Sequence, residues 1–333
     1  MIPAATQPLK IVVMGTGPFA VPMFHAVLKS PHAVVAVVTR PAHAPVGRRP
    51  PPNPMRAAAT AAGIPILDPE QINDPAAIAA VKNLAPDLLV VCDYGQILSP
   101  AALATAAHGG INLHGSLLPR HRGAAPVQWA ILEGDAVTGV SVIHMTPALD
   151  AGHVLVARET PIGPDETAPQ LEARLAEMGA EAVLEAIDML VAAGPGSSPG
   201  VLQDAAKVTR APRLAKADGL VDWSLSAPRI ERMRRALEPW PRIATFLYTG
   251  ISSGDKRPPL RIGLEDVAVG SSGHTATPGT ILAADDAGLI VACGAGTQLV
   301  IRRLVPEGKR SMSAAEFLRG HALFADARLQ SAP

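Results

Sequence analysis

The chain has 333 residues, 48% of them hydrophobic and 17% charged, with basic and acidic side chains balanced at 29 each. That length suits about two domains with sizeable cores, and the composition excludes a disordered chain. No apolar run is long enough to cross a bilayer, the start MIPAATQPLK lacks the build of a secretion signal, and the distant Cys92 and Cys293 read as reduced core residues, so a cytoplasmic protein without a membrane partner is expected.

The run LKIVVMG is a predicted strand, AVPMFHAVLKS a helix, AVVAVVTR a second strand, PNPMRAAATAAG a helix and IPIL a short strand. PAAIAAVKNLA is helical, PDLLVVCDYG and GINLHGS are strands, APVQWAILEG is a helix, and TGVSVIHMT and GHVLVARETPI are strands. Such alternation implies βαβ units, hence an α/β, Rossmann-like and predominantly parallel sheet with helices on its faces. ETAPQLEARLAEMGAEAVLEAIDMLVAAG then gives a long amphipathic helix, with Thr167 placed to cap its start.

The Gly/Pro/Ser run AAGPGSSPG marks a boundary, so residues 1–191 are expected to form one domain, 192–209 a linker and 210–333 a second domain. The second domain opens with the helix SAPRIERMRRALEP. The strands ATFLYT, PLRIGLEDVAV, GTILAADDAGLIVACG and QLVIRRLVP follow, and then a short helix, SAAEFLRG. Short strands between glycine-containing turns predict a small antiparallel β-barrel. Residues 201–333 hold 18 Lys and Arg against 13 Asp and Glu. This surplus fits a polyanionic partner or an ordinary solvated surface.

Gly15-Thr16-Gly17-Pro18-Phe19-Ala20, after the first strand, spells the dinucleotide fingerprint G-x-G-x-x-A. The second strand ends Thr39-Arg40 and lacks the acidic residue that would hold a ribose hydroxyl. Arg40 suits a 2′-phosphate, which leaves NADP open, but Pro18 removes a backbone donor that a phosphate site needs. The turn is therefore read as a fold feature, and no NAD(P) is expected. His108, His114, His121, His144 and His153 match no metal-ligand spacing, so no metal is expected either.

The informative stretch is INLHGSLLPRHRGAAPVQWAILEGD, residues 111–135. Asn112 and His114 lie two apart on a strand and share a face near its carboxyl end, where open α/β sheets place ligands. An amide beside an imidazole supplies a donor for a developing oxyanion and a proton acceptor. Two polar residues at that spacing equally describe a solvated strand end. Further on, Asp150 in MTPALDAGHVL either faces His114, fixing its tautomer and favouring its charged form, or serves as a turn residue.

Together these residues carry a resemblance. Asn112-Leu-His114-Gly-Ser116-Leu-Leu-Pro119, continuing through Arg122-Gly-Ala-Ala-Pro126, resembles the signature of folate-dependent formyltransferases, and Asp150-x-Gly152 resembles their aspartate loop. The resemblance implies Asn112, His114 and Asp150 as a catalytic trio and Ser116, Leu117, Leu118 and Pro119 as a folate-contacting segment. VCDYGQIL is similar to the superfamily's pterin-pocket strand and loop, which adds Tyr94, Gln96 and Ile97. GTGPFA departs from the usual Gly-Thr-Pro-x-Phe-Ala by its extra glycine, and that glycine creates the dinucleotide fingerprint.

VTRAPRLAKADGLVDWSLSAPRIERMRRALEPWP, PGTILAADDAGLIVACG and EGKRSMSAAEFLRG resemble the C-terminal part of methionyl-tRNA formyltransferases, so the likeness spans residues 9–320. It implies that the second domain is an OB-like barrel helping to hold tRNA, and that a formyl group is passed from 10-formyltetrahydrofolate to methionyl initiator tRNA, in translation initiation, by an enzyme expected to be monomeric. In that family the Pro-rich loop at residues 39–55 is basic and meets the tRNA acceptor end. Gly47-Arg48 fits that place and Arg49 follows, although prolines here replace further lysines. Outside the loop, Arg210, Arg213 and Lys216 are candidate phosphate contacts, since arginine and lysine supply most of the affinity for nucleic acid. A formyltransferase acting on an amino-sugar nucleotide or a purine precursor would share the first half and differ in the second.

Overall fold

The computed structural model describes residues 8–42, 52–248, 258–285, 287–321, 323 and 326–332; Arg48 and Arg49 lie outside them. The chain divides into two compact units, Met1–Val127 with Ala136–Ile162 and Gln170–Pro212, and Gln128–Asp135 with Gly163–Pro169 and Arg213–Pro333. Among the described residues no helix is long and apolar enough to cross a membrane.

In chain order the first unit and its border carry β1 (Lys10–Met14), α1 (Ala20–Lys29), β2 (Ala33–Val38), α2 (Pro54–Ala61), β3 (Ile66–Leu67), α3 (Pro75–Asn83), β4 (Leu88–Val91), α4 (Pro100–Leu103) and β5 (Gly110–His114). There follow β6 (Arg122–Gly123), α5 (Pro126–Glu133), β7 (Val137–His144), β8 (Val154–Pro161), α6 (Ala168–Ala193) and β9 (Arg210–Ala211). The main sheet has the order β3-β2-β1-β4-β5-β7-β8. Its first five strands are parallel, whereas β7 and β8 add antiparallel to β5 and to each other.

Helix starts follow local chemistry. Asn53 caps α2 by accepting from the Arg56 N–H, and Ser99 caps α4 by accepting from Ala102; both helices begin with proline, which needs no N–H partner there. The continuous apolar run of β4 reflects its central place, since Leu88, Leu89, Val90 and Val91 are all buried. Strand order reverses between β1 and β4, so ligand chemistry is expected at the carboxyl ends of these strands and of β5.

Residues 192–209, expected to form a linker, and the two residues after them make contacts of their own. Val201 pairs with Val154, and β9 pairs in parallel with β6. Two-residue strands such as these have no periodicity to read.

The second unit carries α7 (Ala227–Ala236), β10 (Ala244–Tyr248), β11 (Leu260–Ser272), β12 (Ile281–Asp285), β13 (Gly288–Ala292), β14 (Thr297–Pro306), β15 (Met312–Ser313), α8 (Ala314–Gly320) and β16 (Arg328–Gln330). Its sheet runs β12-β13-β14-β11-β10-β16, with β15 on β14, and every pairing is antiparallel. A bridge between Thr280 and Arg328, beside a Leu329 N–H donating to the Gly279 carbonyl at 2.8 Å, joins the two ends, so the sheet curls into a small barrel. Inside it the Trp223 indole donates to the Thr245 hydroxyl, which donates to the Gln330 carbonyl, leaving neither buried group unpaired.

Candidate active site

At the carboxyl end of β1 the glycines have specific neighbours. A Cβ on Gly15 would lie 2.9 Å from the Cys92 carbonyl oxygen, and one on Gly17 would overlap the Asp93 carboxylate at 1.8 Å. Asp93, at φ +48° after β4, accepts a hydrogen bond from the Gly17 N–H. The fingerprint thus makes room for a carboxylate belonging to the chain itself. That carboxylate takes a donor a pyrophosphate would use and repels phosphate charge.

Although Asp93 as a whole residue is exposed, its carboxyl rests on this turn, and burial there raises its pKa to about 6 against the opposing pull of the Gly17 N–H. Glu172 is raised by its own burial and by the Asp93 charge. Between pH 3.8 and about 6 the folded protein holds the Asp93 proton more tightly than the unfolded chain. The stability contributed there is present below that window and lost as pH rises through it. Asp93→Asn cannot titrate. The melting temperature of the parent minus that of the variant should therefore fall as pH rises through this window and level off above it. A difference flat in pH would contradict the assignment.

Asn112 and His114 point to one face of β5, opposite Val91 of β4 and Ser141 of β7 respectively in register. Asn112 is half-buried and His114 buried. The His114 Nε2 lies 2.9 Å from the His121 carbonyl oxygen. A carbonyl only accepts, so Nε2 carries the hydrogen and the neutral ring presents a bare Nδ1. Facing Nδ1 at 3.7 Å is Asp150 Oδ2, in a carboxylate that is itself nearly buried. The separation exceeds hydrogen-bond length, and the same oxygen accepts from the Gly123 N–H at 2.9 Å. A proton arriving at Nδ1 would therefore settle beside a fixed negative charge.

Both residues that touch this ring hold left-handed backbone, His121 at φ +59° and Asp150 at φ +50°. Non-glycine residues persist there only when their surroundings fix them, at about 1–3 kcal/mol each. Gln203 Nε2 donates to the Asp150 and Gly152 carbonyls, at 2.8 Å each, and Gln203 Oε1 accepts from Arg122 Nε and Nη2 at 3.0 and 2.6 Å. Sequence reasoning brought Asn112, His114 and Asp150 into view, named Arg122 and Gly123 only as part of a family signature, and missed the parts of His121 and Gln203.

The remaining predicted site residues fall in four groups. Gln96 is committed to the chain itself: its oxygen accepts from the Ile72 N–H and its nitrogen donates to the Glu70 carbonyl. Ser116 likewise donates to the Arg120 carbonyl. Tyr94 is buried among Val12, Met14, Ile72 and Leu98; its hydroxyl has no hydrogen-bond partner among the described residues, and burial pushes its pKa to about 12. Ile97 is 63% exposed, and Leu117, Leu118 and Pro119 are half-buried at the carboxyl end of β5. Arg210, Arg213 and Lys216 are exposed, the first in one unit and the other two in the second.

Residues 9–187 match the formyl transferase family, and residues 213–322 match the formyl transferase C-terminal domain. A Rhodopirellula baltica protein named methionyl-tRNA formyltransferase is 47% identical over 331 residues, covering 96% of each chain. A Geobacter sulfurreducens protein of the same name is 40% identical, over 97% of this chain and 98% of the other. Among solved structures, HypX from Aquifex aeolicus in complex with tetrahydrofolic acid has the same fold with a TM-score of 0.59 at 16% identity, over 95% of this chain; the chain spans about half of that protein's length (48%). With both halves matched and relatives of this name aligned from end to end, the chain belongs to the formyl transferase family, in its methionyl-tRNA formyltransferase branch.

Proposed function

We propose that the chain moves the formyl group of 10-formyltetrahydrofolate to the α-amino group of methionine esterified to initiator tRNA. Asn112 and His114 act on the reacting atoms, and Asp150 acts through His114. The observation that carries this reading is the His114 ring: buried, with Nε2 tied to the His121 carbonyl and Nδ1 facing a carboxylate. The family match and the relatives' names supply the acceptor class.

An α-amino group titrates at about 7.7–8.0, so enough neutral nucleophile exists near pH 7 without a strong base. The chain's task is positioning and charge. As the amine nitrogen bonds to the formyl carbon, the Asn112 amide donates to the oxygen that becomes anionic. The proton shed by the amine passes to His114 Nδ1, where Asp150 balances the imidazolium. From there it goes to N10 as the bond between N10 and the formyl carbon breaks. Atoms and charge balance: one N–H is lost at the amine and one gained at N10.

The folate is proposed to lie at this end of the sheet. A flat heteroaromatic ring needs apolar walls, and Ile97, Leu117, Leu118 and Pro119 supply them, with Gln96 and Ser116 shaping the loops through the bonds described above. Tyr94 anchors its loop in the core. Arg210, Arg213 and Lys216 are proposed to meet tRNA phosphates, as are Arg48 and Arg49.

The test offers the purified protein one donor and three acceptors: methionyl initiator tRNA, free methionine and an amino-sugar nucleotide. Formylation of the tRNA-borne methionine well ahead of the others is the expected result. Preferential formylation of the sugar would overturn the acceptor, and no transfer to any would overturn the reaction.

A further inference from the structure

Residues 201–209 belong to the stretch expected to be a linker, yet together with Arg210 and Ala211 they reach the main chain of both residues that flank the His114 ring. On the Asp150 side, Gln203, only 9% exposed, donates to the Asp150 and Gly152 carbonyls and is anchored in turn by the Arg122 guanidinium. On the His121 side, the Thr209 hydroxyl accepts from the His121 N–H at 2.8 Å, and the Thr209 carbonyl accepts from the Arg122 N–H at 2.9 Å. Ala211 closes the arrangement: its carbonyl accepts from the Ala125 N–H at 3.2 Å, and β9 lies so close to β6 that a Cβ on Gly123 would meet the Ala211 oxygen at 2.3 Å. Gly123 is the residue whose N–H holds the Asp150 carboxylate.

We infer that the 201–211 segment is a working part of the transfer site, with Gln203 and Thr209 as positioning residues: Gln203 fixes Asp150 opposite Nδ1, and Thr209 fixes the His121 carbonyl on Nε2. This rests on the reading of His114 and Asp150 given above. The physical need is plain. His121 and Asp150 both occupy left-handed backbone that each would leave if unrestrained, and the segment bonds to the peptide groups that set those angles. Misplacing a reacting group by about 1 Å costs on the order of 10²-fold in rate. A chain connection held by polar bonds at two points keeps both ring contacts in one frame.

Two substitutions separate the halves. Gln203→Glu keeps an acceptor for Arg122 but removes both donors to the Asp150 loop. Thr209→Val keeps shape but removes the acceptor for the His121 N–H, while Thr209→Ser restores it. Gln203→Glu should lower kcat by about tenfold or more with KM for the tRNA little changed. Thr209→Val should do the same and should also alter the imidazole N–H signal of His114, seen in protein labelled with 15N-histidine and assigned by its loss in His114→Ala. Thr209→Ser should restore both readouts. Parental kcat in Gln203→Glu and Thr209→Val, with an unchanged ring signal, would overturn the inference. So would a rate loss that only tracks loss of folded protein while the folded fraction keeps the parental signal. If instead His114→Ala itself stays within tenfold of the parent, the reading of the site has failed, and the inference falls with it.

Discussion

His114→Ala is expected to slow formyl transfer by about 10²-fold or more, with substrate affinity far less affected. The ring can both hold a proton at Nδ1 and have its charge balanced by a nearly buried carboxylate. Alanine leaves Asp150 bonded to the Gly123 N–H, so the carboxylate keeps a partner and the loop is not driven apart by an orphaned charge. The loss should therefore appear in kcat. Asn112→Ala should give a fall of similar size, because the oxyanion loses a donor that water cannot replace in fixed orientation. Rapid-quench kinetics at saturating donor and acceptor check both variants. A fall of less than tenfold in each would remove Asn112 and His114 from the chemistry.

Gly152→Ala should be nearly as damaging without touching any group that meets substrate. A Cβ at this position would lie 1.8 Å from the His144 carbonyl oxygen and 2.8 Å from its carbon. Both are main-chain atoms, so no side-chain rotation relieves the overlap, and the loop from Met145 to Gly152 must shift. Asp150 sits two residues earlier, and the Gly152 carbonyl is one of the two that Gln203 holds. A displacement near 1 Å is expected to cost about 10²-fold in rate. The overlap should lower stability by about 1–3 kcal/mol. Thermal melting and kcat measured together check it; parental values for both would show that β7 and the loop yield freely at this point.

The βαβ alternation was legible because buried parallel strands such as Leu88–Val91 are short continuous apolar runs between helical patterns. What stayed hidden was held by polar and main-chain bonds. The two-residue β6 and β9 have no periodicity, and the attachment of residues 201–211 depends on Gln203, Thr209 and Arg122, whose identities carry no pattern. Part of α5 and residues 163–169 group with the second unit although they precede the Gly/Pro/Ser run, since a contact made far along the chain leaves no local mark.

At the site, the spacing of Asn112 and His114 was readable because strand geometry forces i and i+2 to one face. The carboxylate facing His114 was readable only as one of two roles for Asp150. The partner of Nε2 was invisible, since His121 contributes its carbonyl rather than its imidazole. The opening fingerprint shows the converse. Glycine spacing suggested a dinucleotide, whereas Gly17 is small because Asp93, far along the chain, lays its carboxylate there.

We propose that the buried His114, with Asn112 beside it and Asp150 behind it, carries the proton while a formyl group passes from the folate to the amine of tRNA-bound methionine. The most direct test is a single turnover with 10-formyltetrahydrofolate and methionyl initiator tRNA, read as the mass of the amino acid released from the tRNA by base. Formylmethionine from the parent protein, and almost none from His114→Ala in the same time, is the expected result. Unmodified methionine from the parent, or equal formylation by His114→Ala, would contradict it.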